Sequence, residues 1–142
     1  MTRALAVPLA AALVLGASGA VASLAAAAPT TLNLVTKQTA SKQTKTTFTF
    51  SETVTQGGKK VGTDKGVCTF TPKGSKRPTG GDCTITLTLA KGTLVARTHL
   101  DFSASGGKIA LTGTSGAYKG KSGAGTFTNV NETTTKLALK LA

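Results

Sequence analysis

Cys83-Thr84-Ile85-Thr86-Leu87-Thr88-Leu89 alternates apolar and threonine side chains without a break. Successive side chains of a β-strand point to opposite faces, so Cys83, Ile85, Leu87 and Leu89 share one face and the threonines the other. Thr is β-branched and stiff at its first side-chain torsion, which suits strands better than helices. Upstream, Thr46–Thr55 repeats the pattern: Phe48, Phe50, Glu52 and Val54 on one face, Thr47, Thr49, Ser51 and Thr53 on the other.

The rest of the chain reads as strand and turn. Thr31–Lys37 alternates with Leu32 and Leu34 on one face, and the Lys-rich stretch Gln38–Lys45 reads as a link. Gln56-Gly57-Gly58-Lys59 is a turn, Gly62 or Gly66 opens a strand running to about Thr71, and Pro72–Gly81 is a loop. Further strands are predicted over Thr93–Ser103, Lys108–Thr112, Ala124–Val130 and Thr133–Leu141. Gly residues number 17 and supply the turns. No segment beyond the N-terminus carries a 3.6-residue apolar period. Eight short strands at this spacing predict an antiparallel barrel or sandwich.

If the segments around Cys68 and Cys83 pair about the Pro72–Gly81 loop, Cys68 falls opposite Cys83 and Phe70 opposite Gly81. Both cysteines then share the apolar face of Phe70, Ile85 and Leu87, and a cross-strand disulfide is sterically reasonable. Closing such a loop stabilises by about 3 kcal/mol on the chain-entropy account.

The N-terminus reads as an export signal, residues 1–27, leaving 28–142 as one domain. Arg3 precedes the apolar run Ala4–Leu15, too short to span a bilayer, and small residues follow. Ala22 and Ala27 offer cleavage sites, with the cut placed after Ala27. The expected location is therefore extracellular, where a disulfide is the default for two cysteines. Without Arg3 the chain keeps 16 basic and 5 acidic residues. Such a surface is drawn to anionic envelope polymers. The lysines are dispersed, with neither a basic run nor a stacking array of aromatics, which argues against a nucleic-acid partner.

Ile109-Ala-Leu-Thr-Gly-Thr-Ser-Gly-Ala-Tyr-Lys-Gly-Lys-Ser-Gly123 resembles a segment of plant allene oxide cyclases and dirigent proteins, approximately I-T-G-G-[ST]-G-x-[FY]-x-G-A-x-G. Val61-Gly-Thr-Asp-Lys-Gly-Val-Cys68 is similar to the glycine-rich stretch ending in G-I-C of the cyclases, Phe50-Ser51-Glu52 to their F-S-N, and Gly81-Asp82 to a G-D before the next strand. The resemblance covers roughly Phe48 to Val130. It implies an eight-stranded antiparallel barrel, calycin-like, with a central cavity, often trimeric in the plant proteins. The Ala-rich signal and compact length suit an exported bacterial relative.

The glycines of that motif let the chain turn, insert the Tyr118 ring and re-enter the barrel. They do not form a phosphate loop, which needs a following helix where Ala124–Val130 reads as a strand.

Phe48, Phe50, Glu52, Val54 and Tyr118 are the candidate pocket residues. Glu52 is the candidate catalytic group: a carboxylate on an apolar inward face is pushed towards its protonated form and suits acid–base work. The resemblance places it at a pocket asparagine that helps hold a water. The first-strand acid of the cyclases has no counterpart in Asn33–Thr36, and their pocket cysteine corresponds to Cys68, here tied to Cys83. The plant substrate is therefore not carried over.

Arg97, His99 and Asp101 share the more polar face of their strand and read as an outward, solvated row. One histidine and two bridged cysteines leave no metal set, and no cofactor is called for. No nucleophile elbow occurs, and Asn131-Glu-Thr133 matches a glycosylation sequon only. The expected function is binding of a small hydrophobic ligand in the barrel, with steering of its cyclisation or isomerisation in a dirigent-like way. The alternative is a basic, non-enzymatic protein held to the anionic envelope.

Overall fold

Cys68 and Cys83 stand directly opposite each other, in a ladder that also pairs Phe70 with Gly81 and Gly66 with Ile85, and the two sulfurs are bonded. The register inferred from the cysteines is the register of this computed structural model, which describes residues 28–142 apart from Pro72, Lys73 and Ser75. The export-signal reading of residues 1–27 lies outside the described residues.

Eight strands follow in order: β1 (Thr30–Gln43), β2 (Thr47–Gln56), β3 (Lys59–Phe70), β4 (Gly80–Leu89), β5 (Gly92–Asp101), β6 (Gly106–Gly113), β7 (Ser122–Asn129) and β8 (Thr134–Leu141). Each pairs antiparallel with the next, and β1 pairs with β8, so the sheet closes on itself. That closure decides for a barrel against a sandwich. It also ties the first and last strands to each other, so neither is a free edge that could recruit another chain.

The link expected over Gln38–Lys45 is strand as far as Gln43. Its polar side chains are mostly exposed, yet its backbone pairs with β2, with Gln38 opposite Glu52 and Ala40 opposite Ser51 across a bulge. Pairing, not burial, keeps this stretch extended.

Alternation sorts the side chains as the pattern demands. Leu32, Leu34, Val54, Leu89, Leu94, Leu111, Leu139 and Leu141 form a buried core with Tyr118. Tyr118 ends a single 3-10 turn, Gly116–Tyr118, which folds its ring back into that core. A Cβ at Gly113 would collide with the Tyr118 carbonyl, so glycine is what permits this return. Among the described residues no helix is long and apolar enough to cross a membrane.

Candidate functional site: a cavity with a facing acid pair

The core fills one half of the barrel. The other half holds a cavity of about 420 Å³. An eight-stranded barrel is just wide enough to be filled by its own side chains or to hold one small ligand. Here large side chains give out partway along: Leu94 and Leu111 are followed on the inward faces of β5 and β6 by Ala96, Thr98 and Ile109. The cavity wall combines Ile85, Leu87, Leu100, Ile109, Phe127 and Leu137 with the rings of Phe48 and Phe50. Gln38 and the segment from Asn129 to Thr133, the β7–β8 connection, form its polar mouth. Asn131 stabilises that turn by accepting a hydrogen bond from the Thr133 backbone N–H at 3.0 Å.

Of the residues read as a pocket from the sequence, the structure brings Phe48, Phe50 and Glu52 to the cavity wall. The rings of Phe48 and Phe50 lie 5.6 Å apart and form one apolar panel. Gly66, opposite Phe50 on β3, leaves room for that ring, which a Cβ there would strike. Val54 and Tyr118 are corrected. Both face inward, but they are packed in the sealed core and do not line the cavity. Alternation identifies the face of a strand residue and not its depth along the barrel. The burial that removes Tyr118 from the pocket also pushes its phenol pKa up.

Glu52 has a partner that the sequence reading missed. Asp64 on β3 stands directly across from it, inward and almost fully buried. Burial, reinforced by the negative charge and hydrogen bonding of Glu52, pushes the Asp64 carboxyl from 3.8 up to about 8. Near neutral pH, Asp64 is therefore a protonated acid beside a second carboxyl group. The signal was present: Asp64, Gly66, Cys68 and Phe70 are spaced by two, so the face assigned to the cysteines carries Asp64 inward as well.

Two cavity-lining oxygens, Oδ1 of Asp64 and Oγ1 of Thr36, have no hydrogen-bond partner among the described residues. Thr98, also at the wall, is satisfied, donating to the Lys108 carbonyl at 2.6 Å. Arg97, His99 and Asp101 are exposed on the outer face. His99 Nδ1 lies 2.8 Å from Asp82 Oδ1, an exposed pair, while Asp101 accepts from the Ser103 backbone N–H at 2.9 Å. Among the described residues, His, Cys, Asp and Glu gather in no group of three that could hold a metal ion.

A closed eight-stranded barrel, packed at one end and hollow at the other around a facing carboxyl pair, defines the class. The chain belongs to the allene oxide cyclase barrel-like domain family, which matches residues 28–141. Among solved structures it is similar to a pyocyanin demethylase, with 27% identity, a TM-score of 0.68, and coverage of 80% of this chain and 100% of that one. It is also similar to the Diels–Alderase AbmU from Streptomyces koyangensis, with 15% identity, a TM-score of 0.67, and coverage of 80% of this chain and 63% of that one. AbnU, an exo-specific intermolecular Diels–Alderase, is 13% identical, with a TM-score of 0.66 and coverage of 80% and 97%. These last two likenesses speak to the fold alone. Comparison with curated proteins gives no significant match.

Proposed function

We propose that the protein is an exported barrel that takes a small, largely apolar molecule into its hollow half and promotes its isomerisation or cyclisation by proton transfer. The observation that carries this reading is the apolar cavity of about 420 Å³ with Asp64 and Glu52 facing each other at its wall. A cavity of this size, mostly apolar with a few convergent polar groups, is the usual form of a small-molecule site. The similar pyocyanin demethylase, aligned over its whole length, is named for a reaction on a small molecule. The Cys68–Cys83 bridge suits an oxidising compartment, in keeping with export.

Asp64 keeps its proton up to about pH 8 and is the general acid. It gives that proton to a carbonyl-type oxygen of the ligand while the Glu52 carboxylate accepts one from a neighbouring carbon. Transfer of the proton from Glu52 back to Asp64 restores the pair. One proton enters and one leaves, so the ligand is rearranged with no net oxidation and no co-reactant.

The neutral fluorophore N-phenyl-1-naphthylamine tests the cavity. The expected result is saturable fluorescence enhancement at one equivalent per barrel, lost in Ala96→Phe, whose ring fills the hollow. No saturable binding by the native protein would overturn the reading.

A second reading draws on the exterior. Glu52 and Asp64 line the cavity, so of the five acidic residues Asp82, Asp101 and Glu132 are left to offset the many lysines outside. This surface suits retention on anionic envelope polymers. Such retention vanishes in moderate salt, because exposed charges are screened within about 8 Å at physiological strength. Glu52→Gln separates the two readings: it removes catalysis and leaves adsorption intact.

A further inference from the structure

The charge inside the barrel is the reverse of the charge outside. The chain carries 17 basic and 5 acidic residues. Three of those acids, Glu52, Asp64 and Glu132, line the cavity, and among the described residues no Lys, Arg or His does. The two inner acids are on the wall, while Glu132 is on the mouth segment and exposed. A ligand approaching through this mouth meets acidic side chains at the mouth and again on the wall.

A second observation concerns hydrogen bonding. Thr36 is 1% exposed, lines the cavity from β1, and its hydroxyl has no partner among the described residues. Buried polar atoms are nearly always hydrogen-bonded, and one left unpaired beside a cavity marks where a ligand completes the set. Asp64 Oδ1 is unpaired in the same cavity. The facing Glu52 carboxylate accepts hydrogen bonds and does not donate them, and Asp64 Oδ1 and Thr36 Oγ1 can both accept, so a donor group on the ligand satisfies all three. With one proton held on Asp64, the facing pair presents a single negative charge. Phe48, Phe50 and Phe127 also line the wall, and aromatic rings are side chains that attract cations.

Resting on the reading of the cavity as a ligand site, we propose that its ligand has an apolar body and one cationic nitrogen head bearing N–H donors, held by Glu52, Asp64 and Thr36. An anionic head is excluded. It would lose its hydration inside the barrel and face the Glu52 carboxylate, with no Lys, Arg or His among the described lining residues to neutralise it.

Three probes of one shape and different charge test this at pH 7 by calorimetry: 2-naphthylmethylamine (cationic), 2-naphthalenemethanol (neutral) and 2-naphthoate (anionic). The amine is expected to bind about tenfold or more tightly than the alcohol, as a charge-assisted hydrogen bond implies. The carboxylate is expected to bind weakest. Glu52→Gln should bring the amine and the alcohol to within about twofold of each other, with an unchanged far-UV circular dichroism spectrum as evidence that the fold is intact. Thr36→Val, which keeps the shape and removes the hydroxyl, should weaken the amine by a smaller factor. Equal binding of all three probes, or a preference for the carboxylate, overturns the charge selection and leaves the cavity reading standing. Failure of all three to bind sinks both.

Discussion

Leu94 and Leu100 occupy the same inward face of β5 at opposite ends of the strand, yet they live in different surroundings. Leu94 is fully buried among Val54, Leu111 and Leu141, whereas Leu100 is half-buried and borders the cavity. One half of the barrel is held by packing. The other is held by its ladder and by the disulfide, since Phe48, Cys68, Cys83 and Thr98 are successive cross-strand partners at the level of the hollow half. The contrast teaches where this small protein keeps its stability and where it keeps its chemistry. Close packing leaves no space for a ligand, and an empty interior needs another source of rigidity.

That division can be broken most forcefully in the packed half. Leu94→Ala should cost about 3 to 5 kcal/mol by chemical denaturation, because a new void opens in a filled core. Leu100→Ala should cost only about 1 kcal/mol, since it enlarges a space that already exists. Equal losses would mean that the two halves are packed alike.

Replacing both cysteines by alanine should cost about 3 kcal/mol, the loop-closure worth of a bridge spanning 15 residues. Hydrogen exchange should then accelerate first along β3 and β4 near Cys68 and Cys83, with Leu94 and its neighbours still protected. Uniform acceleration would contradict the assignment of the bridge to the hollow half.

Acid and base conditions sharpen the comparison further. Asp64 binds its proton more tightly in the folded state than in the unfolded chain, at about 8 against 3.8. Between those values the folded protein holds the extra proton, so this group's contribution to stability is fully present below about pH 4, falls as pH rises, and is gone above 8. Asp64→Asn should flatten that slope and stabilise the protein at pH 8.5 by on the order of 2 kcal/mol. Leu94→Ala should shift the whole curve and leave its slope unchanged.

Much of this was legible from the chain. Alternation gave eight strands, the cysteine spacing gave the β3–β4 register, and the threonine-rich faces gave the direction of Glu52. Three features were not. The barrel closes through β1 and β8, a pairing of Thr30–Gln43 with Thr134–Leu141 that no local pattern specifies. The hollow begins where Ala96 follows Leu94, and depth along a barrel has no sequence period, which is why Val54 and Tyr118 read as pocket residues. Asp64 sat in a stretch, Gly62–Gly66, where two glycines hid the strand's start. Carrying the Cys68 alternation back by four residues places it inward, but only the β2–β3 ladder reveals that it faces Glu52.

Carbon-13 NMR of the side-chain carboxyls, followed from pH 4 to 10, goes to the heart of the account. One carboxyl should titrate with a midpoint near 8, assigned by its disappearance in Asp64→Asn, and Glu52→Gln should move that midpoint down by removing the facing charge. Should Asp64 instead ionise near 4 and ignore Glu52→Gln, the hollow half holds no buried acid pair, and the proton-transfer reading falls with it.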